Sequence, residues 1–371
     1  MRVLMTGGGT AGHINPALSI ADAIKREYPQ AEFLFVGAEG RMETQLVPQA
    51  GYAIRTVKVE GFQRRLSAEN IKKNIIAAYH AVTAGQEAAR ILREFKPDIA
   101  IGTGGYVCGP ILRRAAKMGI PVVVHESNAL PGVTVKMLAP YAKAVLVSDK
   151  AACKHLPNSA NVIVTGNPLR RDLITVDREI ARRELGVDSR PLVLCFGGSL
   201  GARPLNEAIV GVLQKAEAKN VQFIIGTGRG VNHARVQSLL QQAGITPDGV
   251  HVRVREYIDD MPRCMAAADL VISRCGAMTL SELPALGKPS VLVPSPYVAE
   301  NHQYYNAMAL ADRGAAVCLE EKDLTADRLW QEIEKTALHP DVLERMGKAA
   351  AEAAVTDADE RILAVIKNIL S

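Results

Sequence analysis

Aromatic residues are scarce in this chain of 371 residues, where Phe, Trp and Tyr make up 4% of the sequence and Trp occurs once. Proteins that bind single-stranded nucleic acid stack the bases on aromatic side chains. The scarcity of such side chains argues against a nucleic-acid-binding surface, and we expect no nucleic acid among the partners.

Paired cysteines and long apolar runs are also missing. The longest uncharged stretch of note, residues 99–112, contains four glycines, and it is shorter than the ~20 apolar residues that a spanning helix needs. The chain opens directly on a predicted strand, so we expect no signal peptide. The cysteines show no Cys-x-x-Cys or other paired spacing, which favours reduced core thiols in a soluble cytosolic protein over a disulfide framework. They stand at positions 108, 153, 195, 264, 275 and 318.

Metal-ligand patterns are absent as well. The one Asp-x-Asp, Asp357 and Asp359, falls in a predicted helix, where residues i and i+2 do not face each other. No His/Cys cluster has ligand spacing, so we expect neither a metal nor a cofactor. The net charge of +5 is mildly basic. It fits an anionic substrate or membrane surface, and equally an ordinary cytosolic protein.

Short runs of Val, Ile and Leu alternate with helical patterns along the chain. Such continuous runs predict strands that are covered on both faces, hence parallel sheets with crossover helices. The predicted strands are 3–6, 32–36, 54–57, 99–102, 122–125, 144–147, 162–165, 192–196, 222–226, 250–254, 270–272, 290–293 and 316–319. The predicted helices are 16–26, 83–95, 204–219, 232–243 and 358–370.

The length exceeds what one core usually supports, which predicts two α/β domains with doubly wound parallel sheets. Asn167-Pro168 stops a strand before a charged segment, so the linker is placed at 166–170. We therefore expect domains at 1–167 and 168–344, with the C-terminal helix, about 345–371, packing back on the first.

A glycine turn follows the first predicted strand at 7–12, and His13 comes next. Bare N–H groups at a helix start suit a phosphate or a sugar. The turn also fits Gly-x-Gly-x-x-Gly, but a dinucleotide site requires an acidic residue at the end of the second strand, and Gly37-Ala38 stands there. His13 is the candidate general base, with a helix-capping histidine as the alternative.

Further loops follow other predicted strands. A second glycine turn lies at 197–202, so each half of the chain carries one. The segment Thr103, Gly104, Gly105 and Tyr106 follows a strand of the first half. Glu126 follows the next strand and is a rival base, although a solvated loop carboxylate is the commoner case.

The densest motif runs from residue 269 to 282. Gly276 permits close approach, and the amides of Ala277, Met278 and Thr279 open a helix that suits a diphosphate. Glu282, one turn later, suits the two hydroxyls of a ribose, with an exposed helix glutamate as the alternative. Further on, the side-chain amides of Gln303 and Asn306 suit sugar hydroxyls.

One predicted helix, 68–82, has an apolar stripe with basic neighbours. Such a helix can lie on an anionic bilayer. The alternative interpretation is an ordinary helix whose apolar stripe packs into the core. The stripe is Ile71, Ile75, Tyr79 and Val82, and the basic residues are Arg64, Arg65, Lys72 and Lys73.

Together these motifs resemble the bacterial peptidoglycan glycosyltransferases of family 28, which transfer N-acetylglucosamine from UDP-N-acetylglucosamine to lipid I and give lipid II. Any one glycine turn is weak evidence, but seven motifs in order, over essentially the whole chain, are specific. They are Gly7-Gly8-Gly9-Thr10-Ala11-Gly12-His13 with Pro16, Thr103-Gly104-Gly105-Tyr106, His125-Glu126-x-Asn128, Gly166-Asn167-Pro168-x-Arg170, Gly197-Gly198-Ser199-x-Gly201-Ala202, Arg274-x-Gly276-Ala277-x-Thr279-x-x-Glu282 and Gln303-x-x-Asn306.

The resemblance implies a GT-B fold, with two Rossmann-like domains separated by a cleft and the donor bound by the second. It implies that Ser199 meets the donor phosphates, that Ile258 meets uracil through its backbone, and that Glu282 holds the ribose. Gln303 and Asn306 would hold the N-acetylglucosamine, and His13 would have a catalytic or acceptor-side role. The residues implied to line the cleft are Thr10, Ala11, Gly12, Asn128 and Arg170.

We expect an inverting, metal-independent transfer to the 4-hydroxyl of the muramyl residue, with His13 or Glu126 as the base. The implied partners are UDP-N-acetylglucosamine, undecaprenyl-pyrophosphoryl-MurNAc-pentapeptide, an anionic membrane surface and other cell-wall synthesis proteins. The implied location is peripheral, on the cytoplasmic face of the plasma membrane. Two departures are Leu200, where some members have glutamine, and the lack of Trp and Phe in the 68–82 stripe.

Three other functions fit the same architecture. They are a UDP-N-acetylglucosamine 2-epimerase, a transferase that acts on a diacylglycerol lipid, and a non-catalytic nucleotide-sugar binding module.

Overall fold

The computed structural model of the chain describes residues 1–61, 68–169, 171–215, 218, 220–298 and 301–371, without the side chains at 68–79, 81, 82, 171 and 172. It divides into two compact units. Unit 1 consists of Met1–Leu169 and Thr356–Ser371, and unit 2 consists of Arg170–Val355.

Unit 1 is built on a parallel sheet, which has seven strands in the described part of the chain, in the order β3-β2-β1-β4-β5-β6-β7. Alternate residues of β1 pack into two different hydrophobic layers. Leu4 lies in one layer, and Val3 and Met5 lie in the other. The sheet is therefore covered on both faces, as its apolar runs predict. Its strands are β1 (Arg2–Thr6), β2 (Glu32–Ala38), β3 (Ile54–Val57), β4 (Ile99–Gly102), β5 (Val122–Glu126), β6 (Ala144–Val147) and β7 (Val162–Val164).

The helices of unit 1 cover both faces of this sheet. They are α1 (Ala11–Glu27), α2 (Glu43–Gln49), α3 (Ala68–Phe95), α4 (Cys108–Lys117), α5 (Val133–Leu138) and α15 (Ala358–Leu370), with 3-10 turns at Ala139–Tyr141 and Lys150–His155.

Unit 2 repeats the plan with six parallel strands among its described residues, in the order β10-β9-β8-β11-β12-β13. Here too, neighbouring residues of β8 alternate between two layers, Leu194 in one and Cys195 in the other. The strands are β8 (Leu192–Phe196), β9 (Gln222–Gly226), β10 (Val252–Arg255), β11 (Leu270–Ser273), β12 (Ser290–Leu292) and β13 (Ala316–Cys318).

The helices of unit 2 are α6 (Arg171–Ile174), α7 (Arg178–Glu184), α8 (Arg203–Leu213), α9 (Val231–Gln242), α10 (Met261–Ala267), α11 (Thr279–Ala285), α12 (His302–Ala311), α13 (Ala326–Ala337) and α14 (Pro340–Glu352), with a 3-10 turn at Glu321–Asp323. The predicted fold class, α/β with two parallel sheets, is confirmed.

Helix α1 begins earlier than predicted. Proline is common in the first turn of a helix, which placed the start at Pro16. The helix instead begins at Ala11, with Thr10 at the N-cap position, and Pro16 lies inside it. His13 is therefore held in the first helical turn, where its backbone is fixed.

Helix α3 joins two segments that were predicted separately, 68–82 and 83–95. Its C-terminal half packs into the core of unit 1 through Ala84, Ala88 and Leu92. The predicted membrane stripe falls on side chains outside the described set, and Arg64 and Arg65 lie outside the described residues.

The C-terminal part of the chain is shared between the units. In α15, Ile362 and Ile366 are buried in the same cluster as Ile20 and Ile24 of α1. In the segment 345–371, the residues up to Val355 belong to unit 2 instead, because Ala350 of α14 is buried in the core of that unit.

All six cysteines are free thiols, and four of them are buried. Along the described residues, no helix is both long and apolar enough to cross a membrane.

Candidate active site

In each sheet the strand order reverses at one point, between β1 and β4 in unit 1 and between β8 and β11 in unit 2. Open parallel sheets bind ligands at the carboxyl ends of the strands beside such a point. In unit 1 the loops 7–10 and 103–106 leave these strands, and in unit 2 the loops 197–202 and 274–278 do. The motifs of the sequence therefore lie at the expected edges of both sheets.

His13 is oriented by its contacts. Its Nδ1 lies 3.0 Å from the carbonyl oxygen of Gly8 and 3.2 Å from Thr10 Oγ1. A carbonyl oxygen can only accept, so the contact with Gly8 requires the proton of the neutral ring to be on Nδ1. Nε2 then carries the lone pair. It lies beside Gly104, where a Cβ would come within 3.1 Å of it.

The loop 103–106 packs directly on the first glycine turn. Thr103 donates from Oγ1 to the carbonyl oxygen of His13 at 2.6 Å, and Gly8 N donates to the carbonyl oxygen of Gly104 at 3.3 Å. Gly105 has a φ of +88°, and a Cβ there would overlap the Gly8 carbonyl. Glycine is therefore required at this close approach. Tyr106 at the end of the loop is 58% exposed.

Thr10, Ala11 and Gly12 form the N-cap and the first two residues of α1, on the same sheet edge as His13. Thr10 and Gly12 are exposed. All three can therefore meet a ligand there.

Glu43 supports the first turn and was missed by sequence reasoning. Its buried carboxylate accepts hydrogen bonds from Gly9 N and Ala38 N, both at 2.9 Å. A Cβ on Gly8 would overlap this carboxylate. The absence of a side chain at Gly8 thus serves packing against Glu43.

Glu126, at the end of β5, is 4% exposed. Its Oε1 accepts from N and Nδ2 of Asn128, both at 2.9 Å, and its Oε2 accepts from Gly132 N at 2.8 Å. Both oxygens thus hold its own loop together. Arg170, the other residue expected in this region, lies outside the described residues.

His125 precedes Glu126 and is fully buried. Burial lowers the pKa of its imidazole to about 4. Its Nε2 lies 3.2 Å from the carbonyl oxygen of Gly166, which can only accept, so Nε2 donates. His125 is therefore a neutral structural histidine that ties β5 to the segment after β7.

In unit 2, the glycine turn after β8 also packs on a neighbouring loop. Gly198 and Gly201 have φ values of +91° and +76°, and Gly201 N donates to the carbonyl oxygen of Gly198 at 3.0 Å. A Cβ on Gly201 would overlap the carbonyl of Thr227. Ser199 is exposed in the turn, shortly before α8 begins at Arg203.

Arg274, directly after β11, joins three segments of unit 2. Its guanidinium forms an ion pair with Glu321, and its Nη1 donates to the carbonyl oxygens of Val293 and Pro294, both at 3.2 Å. The side chains of Arg274 and Glu321 are 13% and 11% exposed. The contacts of Arg274 are therefore structural ones within unit 2. Glu321 is a second carboxylate that the sequence analysis missed.

The loop after Arg274 leads into α11. A Cβ on Gly276 would meet no atom within 4 Å, so the space above this residue is open. Ala277 and Met278 follow, Thr279 is the first residue of α11, and Glu282 lies half-buried in its first turn.

Gln303 and Asn306 lie on one face of α12 but have different contacts. The Oε1 of Gln303 accepts from Ser295 N at 2.9 Å, which leaves the NH2 group to donate to a ligand. Asn306 is 6% exposed and donates from Nδ2 to the carbonyl oxygen of Cys275 at 3.3 Å. Asn306 therefore supports the loop before Gly276.

Ile258 is 5% exposed, and its side chain is buried in the core of unit 2. Only its backbone can therefore face a ligand. Within the described part of the chain, no group of three or more His, Cys, Asp or Glu side chains is arranged to hold a metal ion.

Comparison with known proteins decides the family. The N-terminal domain of glycosyltransferase family 28 matches residues 3–147, and the C-terminal domain of the same family matches residues 192–362. A UDP-N-acetylglucosamine--N-acetylmuramyl-(pentapeptide) pyrophosphoryl-undecaprenol N-acetylglucosamine transferase of Bacillus cytotoxicus is 42% identical over 371 residues, which is 100% of both chains. The chain belongs to glycosyltransferase family 28. A transferase of the same name from Acetivibrio thermocellus is 43% identical to this family 28 chain, over 100% of it and 98% of the relative.

Solved structures place the family 28 chain among GT-B folds. A crystal structure of MurG from Acinetobacter baumannii has a TM-score of 0.77 and 28% identity, over 99% of each chain. A UDP-GlcNAc 2-epimerase from Neisseria meningitidis has a TM-score of 0.66 at 16% identity, over 99% of this chain and 100% of that one. The epimerase shows a shared fold only, and the family match favours transfer over epimerisation.

Proposed function

We propose that this enzyme transfers N-acetylglucosamine from UDP-N-acetylglucosamine to the 4-hydroxyl of the muramyl residue of lipid I, giving lipid II. The observation that carries the proposal is the 42–43% identity, over the whole chain, to transferases named for this reaction. The arrangement of His13 supplies a base of the kind that the reaction needs.

The chemistry is a single displacement. O4 of the acceptor attacks C1 of the donor sugar while Nε2 of His13 takes the hydroxyl proton. The bond from C1 to the oxygen of the β-phosphate breaks, and UDP leaves with the electron pair. Attack opposite the leaving group inverts the configuration at C1. His13 suits this role because its Nδ1 is held by the Gly8 carbonyl and its Nε2 carries the lone pair.

We assign no proton transfer to Glu126. A general base requires a free lone pair within reach of the proton that it removes. The oxygens of Glu126 are occupied by the N–H groups of Asn128 and Gly132. Its proposed role is to shape the loop that presents Asn128.

The donor is proposed to bind unit 2. Backbone amides of the turn around Ser199, and of Ala277, Met278 and Thr279, would stabilise the charge on the departing diphosphate. Glu282 would accept from the ribose hydroxyls, and the backbone of Ile258 would meet the uracil. The side-chain NH2 group of Gln303 would donate to the sugar, whereas Asn306 would act through the loop that it holds.

Attachment of unit 1 to the cytoplasmic face of the membrane is a further part of the proposal. An undecaprenyl chain keeps the acceptor at the bilayer, so the enzyme must work at its surface. Apart from α3, unit 1 exposes Val133, Met137 and Tyr141 to 51%, 60% and 43%, with Arg113 Cζ 5.7 Å from the Tyr141 ring centroid. Apolar side chains beside cations suit an anionic interface. Sedimentation with phosphatidylglycerol vesicles, compared with phosphatidylcholine vesicles, tests this attachment.

A transfer assay tests the reaction itself. Radiolabelled UDP-N-acetylglucosamine is incubated with a lipid I analogue, with and without EDTA. We expect a labelled disaccharide lipid in both cases and no product without the acceptor. Formation of a manno sugar from the donor alone would indicate an epimerase instead. Activity that EDTA abolishes and magnesium restores would contradict a metal-independent displacement.

A further inference from the structure

Glu43 is a buried glutamate with no cationic partner in the described part of the chain. Its side chain is 0% exposed, and among the described residues no Lys, Arg or His forms an ion pair with it. Its two hydrogen bonds come from backbone groups, Gly9 N to Oε2 and Ala38 N to Oε1. Burial of a carboxylate that is not paired with a cation is unfavourable. An uncharged side chain could fill the same space beneath the turn, so packing alone does not explain a glutamate at this position.

The Gly8–Gly9 peptide group connects Glu43 to His13. The N–H of Gly9 donates to Glu43 Oε2 at 2.9 Å. The carbonyl of the same peptide group, which belongs to Gly8, lies 3.0 Å from His13 Nδ1. The carboxylate and the imidazole therefore contact opposite ends of one amide.

An amide that donates to a carboxylate becomes a better acceptor at its carbonyl oxygen, because hydrogen bonds in a chain polarise one another. A stronger acceptor at Gly8 favours the proton of His13 on Nδ1 over Nε2. The competing partner is Thr10 Oγ1 at 3.2 Å, which can also donate to Nδ1 and would then favour the other tautomer. The charge on Glu43 shifts this balance toward the tautomer that leaves Nε2 free.

We propose that Glu43 is a positioning residue for the transfer reaction and that it acts on His13 through the Gly8–Gly9 peptide group. In serine hydrolases a carboxylate fixes the tautomer of the catalytic histidine directly; here one amide stands between the two groups. The inference rests on the proposed function, in which His13 is the base.

A second consequence concerns the ligand. Because Gly9 N donates to Glu43, this N–H group is not available to an anion. The negative carboxylate beside it also disfavours a phosphate. At Gly9 the turn therefore suits a neutral hydroxyl better than a phosphate.

Glu43→Gln tests the inference, because it keeps the size of the side chain and removes its charge. Glu39→Gln is the matched control, since Glu39 is an exposed glutamate that precedes Glu43 by four residues. We expect kcat of Glu43→Gln to fall by about 10- to 100-fold, the range seen when the hydrogen-bond partner that orients a metal-ligating histidine is replaced. KM for UDP-N-acetylglucosamine should stay within about 2-fold of the wild type, because unit 2 binds the donor. A rise in this KM with kcat unchanged would overturn the inference.

Long-range nitrogen–proton NMR spectra of protein with ¹⁵N-labelled histidine give a readout that is independent of turnover. The signals of His13 are assigned by their loss in His13→Gln. We expect the Nδ1–H tautomer in the wild type and in Glu39→Gln, and a loss of this preference in Glu43→Gln. An Nε2–H tautomer in the wild type would overturn the inference even if Glu43→Gln did not fold. Failure of the wild type to transfer the sugar would instead count against the proposed function.

Discussion

The stability of unit 2 should depend on pH through Lys288, a lysine that is only 6% exposed. Its Nζ donates to the carbonyl oxygens of Ala266 and Ala268 at 2.7 and 2.8 Å, at the C-terminal end of α10. Burial lowers its pKa to about 7, and the neighbouring Arg178 lowers it further while Asp269 opposes the shift. In the folded protein Lys288 thus loses its proton at a much lower pH than in the unfolded chain, whose lysines titrate near pH 10.4.

Between pH 7 and the pKa of the unfolded lysine, the unfolded state binds more protons than the folded state. The free energy of unfolding therefore rises with pH in this window, because stability increases wherever the unfolded state holds the extra proton. With a folded pKa of about 7 for Lys288, the increase from pH 7 to pH 9 comes to about 2 kcal/mol.

Urea denaturation at a series of pH values measures this increase. The one Trp, Trp330, is 6% exposed in α13, so its fluorescence reports on unit 2. Burial raises the pKa of thiols such as Cys108 and Cys195 above that of the unfolded chain, so cysteines also make the stability depend on pH in this range. The quantity of interest is therefore the difference between the wild type and Lys288→Met. Lys335→Met, at an exposed position of α13, is the control. If wild type and Lys288→Met had parallel stability profiles from pH 7 to pH 9, the low pKa of the lysine would be refuted.

Three further predictions concern the candidate site. His13→Ala should lower kcat by roughly 10²- to 10⁴-fold with UDP affinity little changed, and kinetics with calorimetric UDP titration check this; near-normal turnover would exclude His13 as the base. Gly105→Ala should destabilise unit 1 by about 1–3 kcal/mol, because its φ is +88° and a Cβ would overlap the Gly8 carbonyl. Thermal unfolding checks it against Gly109→Ala, where a Cβ would meet nothing within 4 Å. Glu321→Gln should raise KM for UDP-N-acetylglucosamine about 10-fold or more, since a buried guanidinium would lose its ion-pair partner beside the loop 274–278, which is proposed to bind the donor. An unchanged KM would contradict the proposal that Arg274 supports this loop.

The sheets could be predicted from the sequence because their strands are buried on both faces. Runs such as 99–102, 144–147 and 192–196 leave no polar alternation, and all three are strands with those bounds. The ends of 99–102 and 192–196 fix where two loops of the candidate site begin. The start of α1 could not be placed as well, because the sequence signal at Pro16 competes with the N-cap position of Thr10.

The two supporting carboxylates were beyond sequence reasoning. Glu43 contacts Gly9 across 34 positions of the chain, and Glu321 contacts Arg274 across 47. A single glutamate in a loop or at a helix start has no periodicity and no motif of its own. Its role depends on the strand order that brings distant loops together, which the sequence pattern alone does not supply. The contacts of Glu126 are local instead, because N–H groups of its own loop, at Asn128 and Gly132, occupy its oxygens.

The return of α15 to unit 1 has a consequence for biosynthesis. The core of unit 1 includes Ile362 and Ile366, which a ribosome adds only after all of Arg170–Val355 has been made. Unit 1 therefore lacks part of its interior until synthesis of the whole chain is complete. The nascent chain must keep the surface of α1 around Ile20 and Ile24 from aggregating during that interval. Mutations that slow the docking of α15 should show first as a loss of yield during expression.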